Sequence, residues 1–370
     1  MAAASLMLLR LLDGHASMRL SMRVRWLVGA VAVSMMVSTL ASPRVFIAWD
    51  RLELYYALAL LGLSIYLLHR DDDAPGAAPY WLAIALVHAA VLVEVVFWLL
   101  QLQGNGANAS PRMPYHANIR HFGYLGYLAA AAAIAVALRW RRLGLTGLVL
   151  GTAALYGIVQ LGSRGALLGW LIFLAAGCGL APKDQRGRLL AFGAASTLLA
   201  FGMSWVLGEL GLIGGGSLID RAQHGEVAAA SGRLPLWTDV LKAIALHPWW
   251  GYGPDGHSFL NCCGSYGPYI ARTSQAHNVL LQLLEEFGLI GTLLIGMLVN
   301  HLARSQARPR GWFALARADD ETRWLVAMLI GLLAFGLVDG PFYYPVPLLI
   351  FAVLSGLLMA SARRTVRFVP

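Results

Sequence analysis

The chain has 370 residues, of which 58% are hydrophobic and only 13% charged, and its formal net charge is +9. Soluble domains carry about 45–50% apolar and about 25% charged residues, so a soluble globular protein is excluded in favour of a membrane protein. The positive balance does not point to nucleic acid, because the basic residues sit in short clusters between apolar runs, as topology signals do.

The first apolar stretch, 5–12, has no basic segment before it and no cleavage pattern after it, so it does not read as a signal peptide. Arg19, Arg23 and Arg25 lead directly into the first long apolar run, which makes Met18 and Met22 candidate starts. A span needs about 20 apolar residues to cross a hydrocarbon core of about 30 Å. Ten runs approach this, at 26–42, 53–68, 80–101, 121–138, 143–161, 165–180, 189–208, 277–301, 323–339 and 345–361. The expected fold is therefore all-α: a polytopic membrane protein of about ten transmembrane helices. Without an internal repeat or a linker long enough to hide a soluble domain, residues 1–370 read as a single membrane domain.

Orientation follows from Lys and Arg. With the N-terminus inside, the inside segments hold 19 of the 28 basic residues, among them the clusters Arg139/Arg141/Arg142, Lys183/Arg186/Arg188 and Arg363/Arg364. An even number of spans returns the C-terminus to the same side. Asp71–Asp73 falls in a short inside loop and reads as a solvated turn rather than a metal site. The three cysteines set no disulfide framework. Cys178 lies within an apolar run, and a bond between the neighbours Cys262 and Cys263 would be strained. No CxxC or His/Cys cluster gives them a metal or redox role.

One outside segment is long, from Glu209 to Ala276, and long ordered loops usually carry function. It opens on a glycine-rich bend, Gly211 to Gly216. A helix is expected from Leu234 to His247, with Pro235 in its first turn. Leu236, Trp237, Val240, Leu241 and Ile244 form its apolar face, with Asp239 and Lys242 turned elsewhere. Trp249, Trp250 and Tyr252 follow, as at a membrane–water interface. The alternative is a packed surface helix that closes the loop.

Ionisable groups at the membrane edge are costly and so are candidates for function. Arg164 stands between two apolar runs in Leu161-Gly162-Ser163-Arg164-Gly165-Ala166, where flanking glycines allow a tight turn. It reads either as a ligand-binding group or as a snorkelling arginine at a helix end. Arg233 opens the loop helix, Arg221 precedes it and Arg272 follows in the same loop. Guanidinium forks match phosphate oxygens in pairs, so these arginines together suit a diphosphate. In the segment from His277 to Gly291, the residues His277, Leu281, Leu284, Gly288 and Gly291 fall on one helical stripe. The glycines would admit a close neighbouring helix and hold His277 at the outer end. A histidine there suits a general base, with a polar cap partnered by Ser274 or Asn278 as the alternative.

The pattern His277-Asn278, nine residues, Gly288, two residues, Gly291 resembles the signature of bacterial O-antigen ligases. Ser163-Arg164-Gly165-Ala166 looks like a second landmark of that family. The stretch Gly232-Arg233…Trp237…His247-Pro248…Gly251-Tyr252-Gly253 is similar to its long periplasmic loop. The resemblance covers about residues 145 to 302, and its landmarks occur in the family's order. It implies a glycosyltransferase of the bacterial inner membrane with its active site facing the periplasm. The donor would be an undecaprenyl-diphosphate-linked glycan and the acceptor lipid A–core. It also implies a metal-independent, inverting transfer without a cofactor, with Arg164 and Arg233 on the diphosphate and His277 beside the acceptor hydroxyl. Arg221 and Arg272 are further candidates for the diphosphate. An O-antigen or exopolysaccharide polymerase and a protein O-oligosaccharyltransferase on the same carrier are the alternatives within the superfamily. A transporter of lipid-linked glycan is the alternative outside it, although the polar residues gather on one face and no repeats appear. Family members typically carry one hairpin more than the ten runs found here.

Overall fold

The computed structural model describes residues 22–70, 76, 79–90, 119–211, 218–219, 232–263, 266–307 and 311–368. Among these, every regular element is a helix. The longer ones are α1 (Met22–Leu40), α2 (Val45–His69), α3 (Pro79–Ala90), α4 (Ile119–Arg139), α5 (Gly144–Gln160), α6 (Arg164–Leu180) and α7 (Lys183–Glu209). They continue as α8 (Arg233–Leu246), α9 (Gly256–Cys263), α10 (Val279–Ala307), α11 (Trp312–Ala318), α12 (Asp320–Gly336) and α13 (Pro345–Phe368).

Seven segments among the described residues are long and apolar enough to cross a membrane, and they lie in α1, α2, α4, α5, α7, α10 and α13. The chain is thus a multi-pass membrane protein. The difference from ten expected spans has a local cause in each case. The run 80–101 is described only through Ala90, and α6 and α12 are 17 residues each, short of a full crossing at 1.5 Å per residue.

The chain divides into two compact units. The first gathers 1–74, 230–315 and 336–370, and the second 75–229 and 316–335. In the second unit, the alanine-rich middle of α4 is fully buried, Ala129 to Ala137 being at most 1% exposed. Its flat surface lets α5 approach closely: a Cβ on Gly147 would stand 2.6 Å from the Ala133 carbonyl. Arg323, one of the 19 basic residues that the topology counts as inside, is buried in this unit. Its guanidinium donates to the carbonyls of Ala316 and Arg317, each at 3.1 Å, and to Gln185 at 3.2 Å, with Asp320 as its charge partner. It therefore satisfies the last carbonyls of α11, which a helix end leaves without partners.

In the first unit, α10 is not one straight rod. Gly288 has φ +62° and ψ −170°, and the helix breaks there. A break frees backbone groups that must find partners. The stretch after α8 supplies them. The amides of Tyr252 and Gly253 donate to the carbonyls of Glu285 and Glu286 at 2.8 and 2.9 Å, and those of Leu289 and Ile290 donate to Pro248 and Trp249 at 2.7 and 3.3 Å. Ser38 of α1 adds hydroxyl bonds to Trp250 and Glu286, each 2.6 Å. A side chain at 288 would run into the Trp249 carbonyl. The glycine expected to admit a neighbouring helix instead admits a loop that is stitched into the break.

Candidate functional site

The loop helix forms where the sequence indicates, with the same length and shifted one residue toward the N-terminus. Gly232, at φ +67°, turns the chain left-handed, and α8 begins on Arg233. Leu236, Val240 and Ala243 pack on Tyr252, Leu260, Ile270 and Ala276 in one core, with Trp237 and Ile244 at its edge. Leu234, Leu241 and Leu246 are exposed, as are Trp249 and Trp250. Asp239 corrects the sequence reading. It faces inward, 7% exposed, because the side-chain-free Gly267 makes room for its carboxylate, which accepts from the Tyr269 amide at 3.4 Å and pairs with Lys242 at 3.6 Å.

The expected stripe starting at His277 is also corrected. His277 has φ +52° and lies outside the helix. Asn278 is the reason. Its side-chain oxygen accepts from the amides of Leu280 and Leu281 at 2.9 and 3.2 Å, so the helix starts at Val279 and the residue before the cap is left to turn. With the second break at Gly288, His277 and the two glycines do not share one helical face.

His277 is instead held from three directions. The indole of Trp237 donates to the Ala276 carbonyl at 3.0 Å, tying α8 to the residue before it. Asn278 donates to the Leu337 carbonyl at 2.9 Å, tying the residue after it to the end of α12. Asp339, just past that end, accepts from His277 Nδ1 at 2.8 Å through Oδ1 and from Arg233 Nη2 at 2.9 Å through Oδ2. An ionised carboxylate only accepts, so Nδ1 carries the hydrogen in this contact. Burial opposes the charge on Asp339, but the His277 hydrogen bond and the Arg233 guanidinium prevail and hold its carboxyl down at about 2.

Asp339 is the residue that the sequence reading missed. Two of the proposed site residues, Arg233 and His277, meet on it, although they lie 44 positions apart in the chain (277 − 233). A carboxylate on Nδ1 fixes the ring and its tautomer and stabilises the imidazolium that forms when the other nitrogen takes a proton.

The remaining candidates stand as follows. Arg164 is the first residue of α6 in the second unit, half-buried, following Gly162 at φ +68° and the buried Ser163. The expected tight turn is present, and the positive end of the α6 dipole adds to the charge of the arginine. Arg272 is exposed at the end of a short 3-10 turn in the first unit. That turn is held by Asn261, which donates to Ile270 and Thr273 at 3.1 and 2.7 Å. Arg221 lies outside the described residues. Cys262 corrects the expectation of no disulfide, being disulfide-bonded, while Cys178 is free.

A second buried pair sits nearby in the same unit. His257 Nδ1 contacts Glu285 at 2.9 Å and its Nε2 contacts the Thr273 hydroxyl at 3.0 Å. Both ring nitrogens are engaged within the fold, which gives His257 a structural role in holding the loop on α10.

Residues 149–296 match the family model described as O-Antigen ligase, close to the 145 to 302 over which the sequence resemblance runs. No curated protein matches the chain. The matched segment contains Arg164, Arg233, His277, Gly288 and Gly291, in the order that the resemblance rests on. Over that segment this multi-pass membrane protein is similar to the O-antigen ligase family.

Proposed function

We propose that the protein is a membrane glycosyltransferase that moves a glycan from an undecaprenyl-diphosphate carrier onto a lipid A–core acceptor at the periplasmic face of the inner membrane. The family match over residues 149–296 supports O-antigen ligase- or polymerase-type chemistry in general. The observation that carries the mechanism is the Arg233–Asp339–His277 bridge. His277 takes the acceptor hydroxyl proton at Nε2, since Nδ1 is engaged by Asp339, and the hydroxyl oxygen attacks the anomeric carbon with inversion as the diphosphate leaves. Arg164 and Arg233 bind that diphosphate and stabilise its charge, with Arg221 and Arg272 as further contacts. Guanidinium groups meet the leaving charge in place of a metal ion, so transfer should persist in excess EDTA, and loss of activity restored by Mg²⁺ or Mn²⁺ would refute that step.

A polymerase on the same carrier is the second reading, supported by the same family match. A deletion strain separates the two on a lipopolysaccharide gel. A ligase leaves polymer on the carrier and none on lipid A, whereas loss of a polymerase leaves single repeats on lipid A. Unchanged lipopolysaccharide would contradict both readings.

A further inference from the structure

Asp339 sits on a short segment between α12 and α13, and such a segment needs an anchor if its carboxylate is to serve two partners at once. The anchor lies four residues on. The amide of Tyr343 donates to the Gly340 carbonyl at 3.1 Å, closing a turn, and the Gly340 amide donates to Asp339 Oδ1 at 2.9 Å. Tyr343 is then gripped on three sides. Its hydroxyl donates to Asp255 Oδ1 at 2.6 Å, its carbonyl accepts from the Arg51 guanidinium, and its ring lies under that guanidinium with 4.7 Å to the centroid.

Each gripping group is itself fixed. Arg51 donates to the Tyr55 hydroxyl at 3.3 Å and lies over that ring, and Tyr55 donates to buried Glu286 at 2.8 Å, which also accepts from Gln282 at 3.0 Å. Asp255 is held at φ +59°, in the loop that pairs with the α10 break, and its carbonyl accepts from the Ser258 amide and hydroxyl. The charged groups facing Tyr343 are therefore Arg51 of α2, Glu286 of α10 and Asp255 of the loop before α9. Burial and the Asp255 carboxylate push the Tyr343 hydroxyl up, so it stays a donor.

We propose that Tyr343 is a positioning residue, clamped between Arg51 and Asp255, which sets Asp339 against His277. This rests on the His277–Asp339 pair of the proposed reaction. Losing the hydroxyl in Tyr343→Phe keeps the ring and the Arg51 contacts but frees the turn from Asp255. The geometry that suffers is that of Asp339, so the loss should vanish when Asp339 no longer acts.

The test is a double-mutant cycle on the purified full-length protein in nanodiscs. The probes are a polyprenyl-diphosphate-linked oligosaccharide and rough lipopolysaccharide. Tyr343→Phe should lower kcat about tenfold, as expected on releasing a hydrogen bond to a charged group, with the donor KM unchanged. Added to Asp339→Asn it should cost nothing more. Losses that multiply, or a Tyr343→Phe variant with wild-type kcat, would overturn the proposal. A second readout needs no turnover. In protein labelled with ¹⁵N-histidine, the Nδ1 resonance of His277, identified by its loss in His277→Gln, should move in Tyr343→Phe toward its position in Asp339→Asn. An unmoved resonance overturns the clamp even if the protein transfers glycan. A moved resonance supports the clamp even if the wild type transfers none and the glycosyltransferase reading has failed.

Discussion

Asp339 joins a guanidinium and an imidazole through its two oxygens, at 2.9 and 2.8 Å. Taking a carboxylate out of water is expensive unless such partners compensate, and here they more than do so. The consequence is a pH dependence with a definite sign. A carboxyl held near 2 in the fold against an ordinary 3.8 adds stability at neutral pH, which is lost as pH falls through that interval. Asp339 is buried, so the difference corresponds to roughly 2 kcal/mol. Thermal melts in detergent between pH 5 and pH 2 should show a smaller loss for Asp339→Asn than for the wild type. Equal losses would show that other carboxylates carry the acid response. Asp339 was not legible in the sequence because nothing local marks it. It closes an apolar run, like many polar residues at helix ends, and lies beyond the matched segment 149–296. Only the fold brings it to Arg233 and His277.

At the scale of elements, what the sequence disclosed and what it hid differ by mechanism. The helices marked by apolar runs have described limits close to those runs except at the N-terminal ends of α2 and α7 and the C-terminal ends of α10 and α13, each of which extends well past its run. The start of α8 follows from Gly232 and Arg233. The break in α10 does not, since a glycine at 288 fits both a packed helical stripe and a left-handed turn, and spacing alone cannot separate them. The deciding groups are the carbonyls of Pro248 and Trp249, some forty positions earlier, which take the amides freed after the break. Gly288→Ala should therefore lower stability by about 1–3 kcal/mol through its positive φ alone, with a further loss from collision with the Trp249 carbonyl. Gly296, with open space around its position, is the control, and Gly296→Ala should be close to neutral. Equal effects of the two substitutions on the melting temperature would contradict the stitched break.

For the whole molecule, the 19-to-9 division of basic residues predicts an orientation in which the segment from Glu209 to Ala276 faces the periplasm, as the proposed function requires. Reporter fusions after Gln185 and after Gly253 should report opposite sides of the membrane. The same side for both would remove the periplasmic site assignment together with the topology. Buried Arg323 is a reminder that a basic residue can serve the fold rather than the topology, but moving it to either column leaves a clear majority inside.

The reaction itself is tested most directly by transfer with the purified protein, from a polyprenyl-diphosphate-linked oligosaccharide to rough lipopolysaccharide, comparing wild type with His277→Ala and His277→Gln. General-base help is worth about 10²–10⁴-fold. Both variants should remain folded and keep donor binding, while turnover falls by that factor in each. Near-wild-type turnover in His277→Gln alone would reduce the ring to a hydrogen-bond donor, and near-wild-type turnover in both variants would contradict the site.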